Sequence, residues 1–300
     1  MFQRHVGSVV DKVLLVPDEH RSFSTGIDEA TRLYGIDAET MENLLDVGLP
    51  CIGTGPDLLF DALDLQNIGL DLRLPSSQWA GMRLWSRSLR SSRHFATNIR
   101  EVGMDCKCPE PGHEGSCDFK LSSRMADHAL TTKGAPKDGK ILLEAHLSDR
   151  SYDFGAAFDP VVGCAQELRF HKLTENLAGD PGFLRETKLA DCRSASRHLV
   201  RLATEAGFVA RPASGIFIGV PYPILHVWFE VEIDSSWIAA DPFFLHNLQQ
   251  WGILRVEDWP LSHSPRNVLW RLNSTYEMNF PLAFHRGQGI PVGMTARVAA

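Results

Sequence analysis

Three residues in this chain have the types and spacing for acyl chemistry: Cys192, His226 and Asp241. A thiol is a poor nucleophile until it loses its proton, and a helix N-terminus or a neighbouring imidazolium promotes that loss. An imidazole can take the proton and later hand it to a leaving group. A carboxylate behind the ring holds its tautomer and stabilises its charged form. Taken singly, each residue has an ordinary reading. A cysteine on an apolar helix face is core filler, a strand histidine is a hydrogen-bonded structural group, and an aspartate before proline starts a turn. What sets these three apart is the pattern around each of them and their separation by 34 and then 15 residues.

The elements that must position them can be read from periodicity. After Asp191, Ala195, Leu199, Leu202, Ala203 and Ala206 recur at three- and four-residue steps, which predicts one apolar helix stripe ended by Gly207. Cys192 falls in the first turn of that helix, on the same face. In Leu225–Ile233, His226, Trp228, Glu230 and Glu232 alternate with Val227, Phe229, Val231 and Ile233, the pattern of a half-buried strand. Asp234-Ser235-Ser236 reads as a hairpin turn, and Trp237–Ala240 as the strand that delivers Asp241-Pro242.

Four stretches carry a resemblance to the transglutaminase-like superfamily of papain-like cysteine enzymes. They are Asp191-Cys192-Arg193, Ala206–Arg211, His226–Val231 and Trp237–Pro242, and the similarity spans roughly residues 140–245. Each stands where that superfamily has its nucleophile helix, strand entry, histidine strand and aspartate strand. The resemblance implies an α+β fold with a nucleophile helix packed on an antiparallel sheet, and a Cys192–His226–Asp241 triad working through a thioester. This sequence departs from the pattern at Ala190, where a glycine is common, and at an inserted Pro221-Tyr222-Pro223 before the histidine strand, expected to shape one wall of the substrate site.

An oxyanion site needs a donor beside the Cys192 backbone N–H. In papain-like enzymes an upstream glutamine or aromatic often supplies it, which nominates Gln166 and Tyr152. Upstream of the catalytic helix, Ile141–Leu147 reads as a strand, Asp159–Leu177 as a helix and Gly179–Leu189 as a loop.

Residues 1–75 read as a small module with helices at Ile27–Tyr34 and Asp37–Val47, Asp37 as N-cap and Gly48 just past the C-terminus. The order resembles a winged helix-turn-helix of the excisionase and MerR type. Its charge excludes the corresponding function: between Thr25 and Leu72 stand ten acidic residues and a single base, Arg32. DNA affinity is built on phosphate neutralisation, and a helix carrying Asp37, Glu39, Glu42 and Asp46 repels a duplex. The module is expected to pack on the catalytic part or dock a protein.

Residues 76–140 combine a basic helix with a cysteine-rich loop. Gln78–Arg100 holds arginines 83, 87, 90, 93 and 100 and no acid. Arg83, Arg87 and Arg90 share a helix face, either pairing with the acidic module or receiving an acidic protein or phosphorylated carrier arm. Gly103–Lys140 reads as a long loop containing Cys106, Cys108, His113 and Cys117. Three thiols and an imidazole suit a tetrahedral zinc of structural type; free loop thiols are the alternative. Catalysis itself requires no cofactor in this reading.

Residues 141–300 hold the catalytic domain and an aromatic-rich tail, which either adds strands to the sheet or covers the acyl pocket. The chain is 44% hydrophobic with a net charge of −7, an ordinary globular composition that disfavours nonspecific nucleic-acid binding. No apolar run reaches membrane-spanning length, and the N-terminus lacks a signal-peptide core, so six cysteines point to a reducing cytoplasm. The expected activity is transfer of an acyl group from a thioester, held by an acidic carrier protein, to an amine in natural-product assembly. A peptidase or amidase, and a non-catalytic scaffold, are the competing readings.

Overall fold

The computed structural model describes residues 2–92, 99–110, 113, 117–128, 139–148 and 152–299. The chain begins with helix α1 (Phe2–Val13), strand β1 (Phe23–Gly26) and helices α2 (Ile27–Tyr34) and α3 (Ala38–Asp46), then strand β2 (Leu59–Asp61) and helix α4 (Ala62–Asp71). Asp37 caps α3 by accepting from the Thr40 N–H, and Asp61 caps α4 through the N–H groups of Leu63 and Asp64. Met41 and Leu44 turn into a core shared with Val6, Ile36, Phe60 and Leu65, while Asp37, Glu39, Glu42 and Asp46 stand exposed. Strand β2 pairs with β1, which precedes the helices, and an isolated antiparallel bridge joins Ile52 to Leu59 in the segment after α3.

Helix α5 (Ser77–Ser92) carries the arginines and stops short of the expected Arg100. Arg93 lies outside the described residues, and Arg100 is buried in strand β3 (Ile99–Cys106). The expected loop over 103–140 therefore contains the end of β3, strand β4 (Phe119–Leu121) and helix α6 (Ser123–His128). Strand β5 (Lys140–His146) pairs with β3 across the division expected at residue 140.

The expected helix Asp159–Leu177 is three elements: α7 (Asp159–Glu167), β6 (Arg169–Phe170) and α8 (Glu175–Gly179). It breaks because Arg169-Phe170 pairs in parallel with β7 (Leu189–Ala190), a tertiary pairing invisible to local periodicity. The expected loop 179–189 holds α9 (Pro181–Thr187), started by Pro181 and capped by Asp180. Helix α10 (Cys192–Glu205) follows, ending where Gly207 adopts φ +90°.

Strands β8 (Ala210–Phe217), β9 (Ile224–Ile233) and β10 (Ser236–Ala240) form an antiparallel sheet in the order β10-β9-β8, turned by Asp234-Ser235 at positive φ. Helix α11 (Pro242–Gln250) comes next, and β11 (Leu269–Asn273) closes the other sheet edge beside β8. The tail ends in β12 (Ala283–His285), β13 (Gln288–Ile290) and β14 (Val292–Val298). β12 pairs with β4 and β14 with β3, so the tail reaches back to build sheets with the middle of the chain. The α+β arrangement is the one expected, a cysteine-bearing helix on an antiparallel sheet. β9 is not half-buried, however. Phe229 and Val231 pack against α7 and α10, while Trp228 packs with Met82 of α5 and Leu248 of α11. A strand covered on both faces needs helices on both sides.

Candidate active site

Cys192 opens α10, and the helix start is built with care. Asp191 accepts from the N–H groups of Arg193 and Ser194 at 2.9 and 3.0 Å, and the Ser194 hydroxyl receives the Asp191 N–H, a reciprocal capping box. Its second oxygen pairs with the Arg193 guanidinium at 2.7 Å. Ala195, Leu199 and Ala203 anchor the helix in the core, so the half-buried thiol sits at a rigid, dipole-positive end.

His226 is brought to the same place by β9. Its register partner on β8 is Gly215, and its ring stacks on Trp228 with centroids 6.2 Å apart. Its Nε2 meets an Asp241 oxygen at 2.6 Å, which leaves Nδ1 as the ring atom for the thiol. Asp241 is fixed by its other oxygen, which accepts the Phe244 N–H as the cap of α11. Burial disfavours the charged ring, but the charge and hydrogen bond of Asp241, together with Cys192, outweigh it and raise the His226 pKa to about 10. The structure thus brings Cys192, His226 and Asp241 together.

Cys192 and His226 line a cavity of about 380 Å³ whose walls are mostly apolar, including Leu63, Met82, Trp85, Phe217 and Phe244. Trp85 is locked: its indole N–H donates to the Tyr222 carbonyl at 3.0 Å, and its ring covers Gly219, where an added Cβ would sit 2.3 Å from the ring. The Pro221-Tyr222-Pro223 segment thus shapes the wall through Trp85 and leads into Ile224 and Leu225, which line it directly. From the tail, Met278 lies over the thiol with its sulfur 3.7 Å from Cys192 Sγ. The tail both completes the sheet and covers part of the site.

Lys172 also lines the cavity and has no motif in the sequence to mark it. Burial lowers its pKa, against the pull of Cys192 and Asp191. The N-terminal module holds it. Asn67 of α4 accepts the Lys172 N–H at 2.7 Å and donates to its carbonyl at 3.1 Å, and Gln66 receives the ammonium at 2.8 Å.

The remaining candidates fall elsewhere. Gln166 is exposed on α7, and Tyr152 packs edge-on against Phe154; neither lines the cavity. The helix expected to aim Gln166 ends one residue later, so its side chain faces solvent. Arg83, Arg87 and Arg90 are exposed along a second concavity with Gly252 and Ile253. Among the described residues none of the three forms an ion pair with the acidic module, whose Asp64 and Asp71 pair with Arg21 and Lys12. Cys108, His113 and Cys117 converge as expected, but Cys106 does not: its side chain is buried in the core between β3 and its neighbours, and His285 of β12 takes the fourth corner.

No protein-family model matches the chain, and no curated protein matches it. Among solved structures it is similar to one named "a Putative Cysteine Protease from Cytophaga hutchinsonii", at 11% identity and a TM-score of 0.32, covering 66% of this chain and 85% of that one. Among the described residues, no helix is long and apolar enough to cross a membrane.

Proposed function

We propose that this protein is a cysteine-dependent acyltransferase of the transglutaminase-like kind, with Cys192 as nucleophile, His226 as acid and base, and Asp241 as the group that orients and charges the ring. The observation that carries this reading is the capped helix start at Cys192 facing the cavity with His226, whose far nitrogen is held by Asp241 at 2.6 Å. The chemistry follows from the charges. The Cys192 thiolate adds to the acyl carbon, the Cys192 N–H and the Lys172 ammonium balance the charge that develops on oxygen, and the leaving thiolate departs with the His226 proton. An amine then attacks the acyl-enzyme and gives its proton to His226, the C–S bond breaks, and the amide leaves with the Cys192 thiolate and the protonated His226 restored.

The apolar walls favour an amine over water in the second step, because a dry cavity starves the thioester of hydrolytic attack. The exposed arginine face suits an acidic carrier that delivers the acyl group. Helix α5 contributes to both places: Met82 and Trp85 face the cavity, and Arg83, Arg87 and Arg90 line the second concavity.

The test is intact-mass spectrometry of wild type and Cys192→Ala after incubation with a panel of acyl thioesters. An acyl adduct on wild type alone, discharged by an added amine as the amide, is the expected result. No adduct with any thioester, alongside cleavage of a peptide library that depends on Cys192, would replace this reading with a peptidase. A Cys192 inert to thioesters, peptides and iodoacetamide would end the catalytic reading altogether.

A further inference from the structure

A second cluster of reactive side chains stands outside the cavity. Cys108, His113, Cys117 and His285 place one sulfur or ring nitrogen each within 4.8 Å of all the others. We propose that these four residues bind one zinc ion as a closed Cys2His2 site that clasps Cys108, His113 and Cys117 to the C-terminal tail.

The distances have the size of the ion. A tetrahedral zinc with sulfur at about 2.3 Å and nitrogen at about 2.0–2.1 Å separates its sulfur and nitrogen ligands by roughly 3.6 Å. Here Cys108 Sγ lies 3.4 Å from His113 Nδ1 and 3.7 Å from His285 Nε2, and His113 Nδ1 lies 3.2 Å from Cys117 Sγ. Two thiols and two imidazoles pointing at one centre, from segments 177 residues apart, is what the ion requires and what packing alone has no reason to produce.

The backbone explains how the fourth ligand arrives. Strand β12 pairs with β4 so that His285 lies opposite Phe119, two residues beyond Cys117. The His285 ring is buried beside Cys108, His113 and Phe119, and among the described residues its Nδ1 has no hydrogen-bond partner. A metal at Nε2 would give that nitrogen a partner and fix the ring proton on Nδ1. A second tie lies next to the first. Arg286 grips both oxygens of Glu110 at 3.0 and 3.1 Å and approaches His113 Nε2 at 3.0 Å. Zinc on Nδ1 puts the His113 proton on Nε2, so Arg286 then keeps only its Glu110 bonds.

Binding releases two protons, one from each thiol, and changes no oxidation state. All four positions are filled by protein, so the ion is structural, with no place for a substrate. Its effect is on the tail: Met278 and Asn279, a few residues before β12, line the cavity, so the clasp holds one wall of the active site from outside.

The experiment measures zinc in the full-length protein after reconstitution with zinc salt and dialysis. One zinc per chain is expected for wild type and for Cys106→Ala, and at least a tenfold loss of content for Cys117→Ser and His285→Ala. Should those two variants fail to fold, wild type suffices. Cobalt(II) loading must give the intense visible bands of a tetrahedral thiolate site. Zinc must also protect Cys108 and Cys117, but not Cys192, from iodoacetamide until a chelator is added. Zinc absent from wild type, zinc lost with Cys106→Ala but kept with His285→Ala, octahedral cobalt bands, or labelling of Cys108 indifferent to zinc would each overturn the proposal.

Discussion

At His226 two large effects oppose each other, and the outcome sets the chemistry. Burial alone would strip the ring of its proton, while Asp241 at 2.6 Å and the thiol of Cys192 hold the proton on, up to a pKa of about 10. Asp241→Asn removes the charge but keeps an oxygen for the Phe244 N–H. Burial then weighs against the charged ring with only Cys192 opposing it, so the imidazolium beside the nucleophile is disfavoured. The expected result is a drop in the rate of acyl-adduct formation by roughly 10²–10⁴-fold at neutral pH, with the fold retained. Stability carries the same signature. A ring whose pKa is higher folded than unfolded stabilises fully below its ordinary value of 6.5, and the contribution is lost as pH rises toward about 10. Urea midpoints between pH 6 and 10 should therefore fall for wild type relative to Asp241→Asn. A constant difference across that range would mean the pair is not charged.

At the scale of elements, α4 supports a cavity to which it contributes one lining residue, Leu63. Asn67 is 2% exposed and satisfies both backbone groups of Lys172. Asn67→Ala leaves a half-buried N–H and C=O of Lys172 unpaired, at the lower end of the about 1–3 kcal/mol such a loss costs when fully buried. It also frees Lys172 to move, so adduct formation should slow more than unfolding free energy alone predicts, because the variant remains folded. Acylation rates and chemical denaturation on the same variant check this. Unchanged acylation with lost stability would make the α4 contact purely structural. The acidic module thus braces Lys172 through Asn67 and Gln66. Of its carboxylates, Asp64 and Asp71 pair with Arg21 and Lys12 within the fold, and those of α3 face solvent.

For the whole molecule, the tail reaches the site. Met278 stands 3.7 Å from the Cys192 sulfur although 86 residues separate them. Met278→Ala opens the mouth, so a bulky maleimide should gain on iodoacetamide in its rate of reaction with Cys192. Equal gains for both reagents would point to a change in thiol reactivity rather than in access.

The local layout of the site was legible because its signals are local. Asp191 before a helix stripe, alternation through Leu225–Ile233 and Asp241 before Pro242 each obey rules of capping and periodicity that operate within a few residues. What stayed hidden depends on distant partners. The Arg169–Leu189 pairing broke a helix that periodicity extends. Lys172 has no motif, and Gln166, chosen by upstream position, lies on a helix too short to aim it at the cavity. At the cysteine loop, spacing alone nominated Cys106, but the core between the sheets claims its side chain. His285 enters instead through the pairing of β12 with β4, which sets it beside Cys108, 177 residues away in the chain. Sequence determined which groups are chemically able and which elements carry them, since helix and strand periods are properties of neighbouring residues. Only tertiary structure decided which groups meet, because strand register and the packing of both faces of β9 are settled by contacts between segments far apart in the chain.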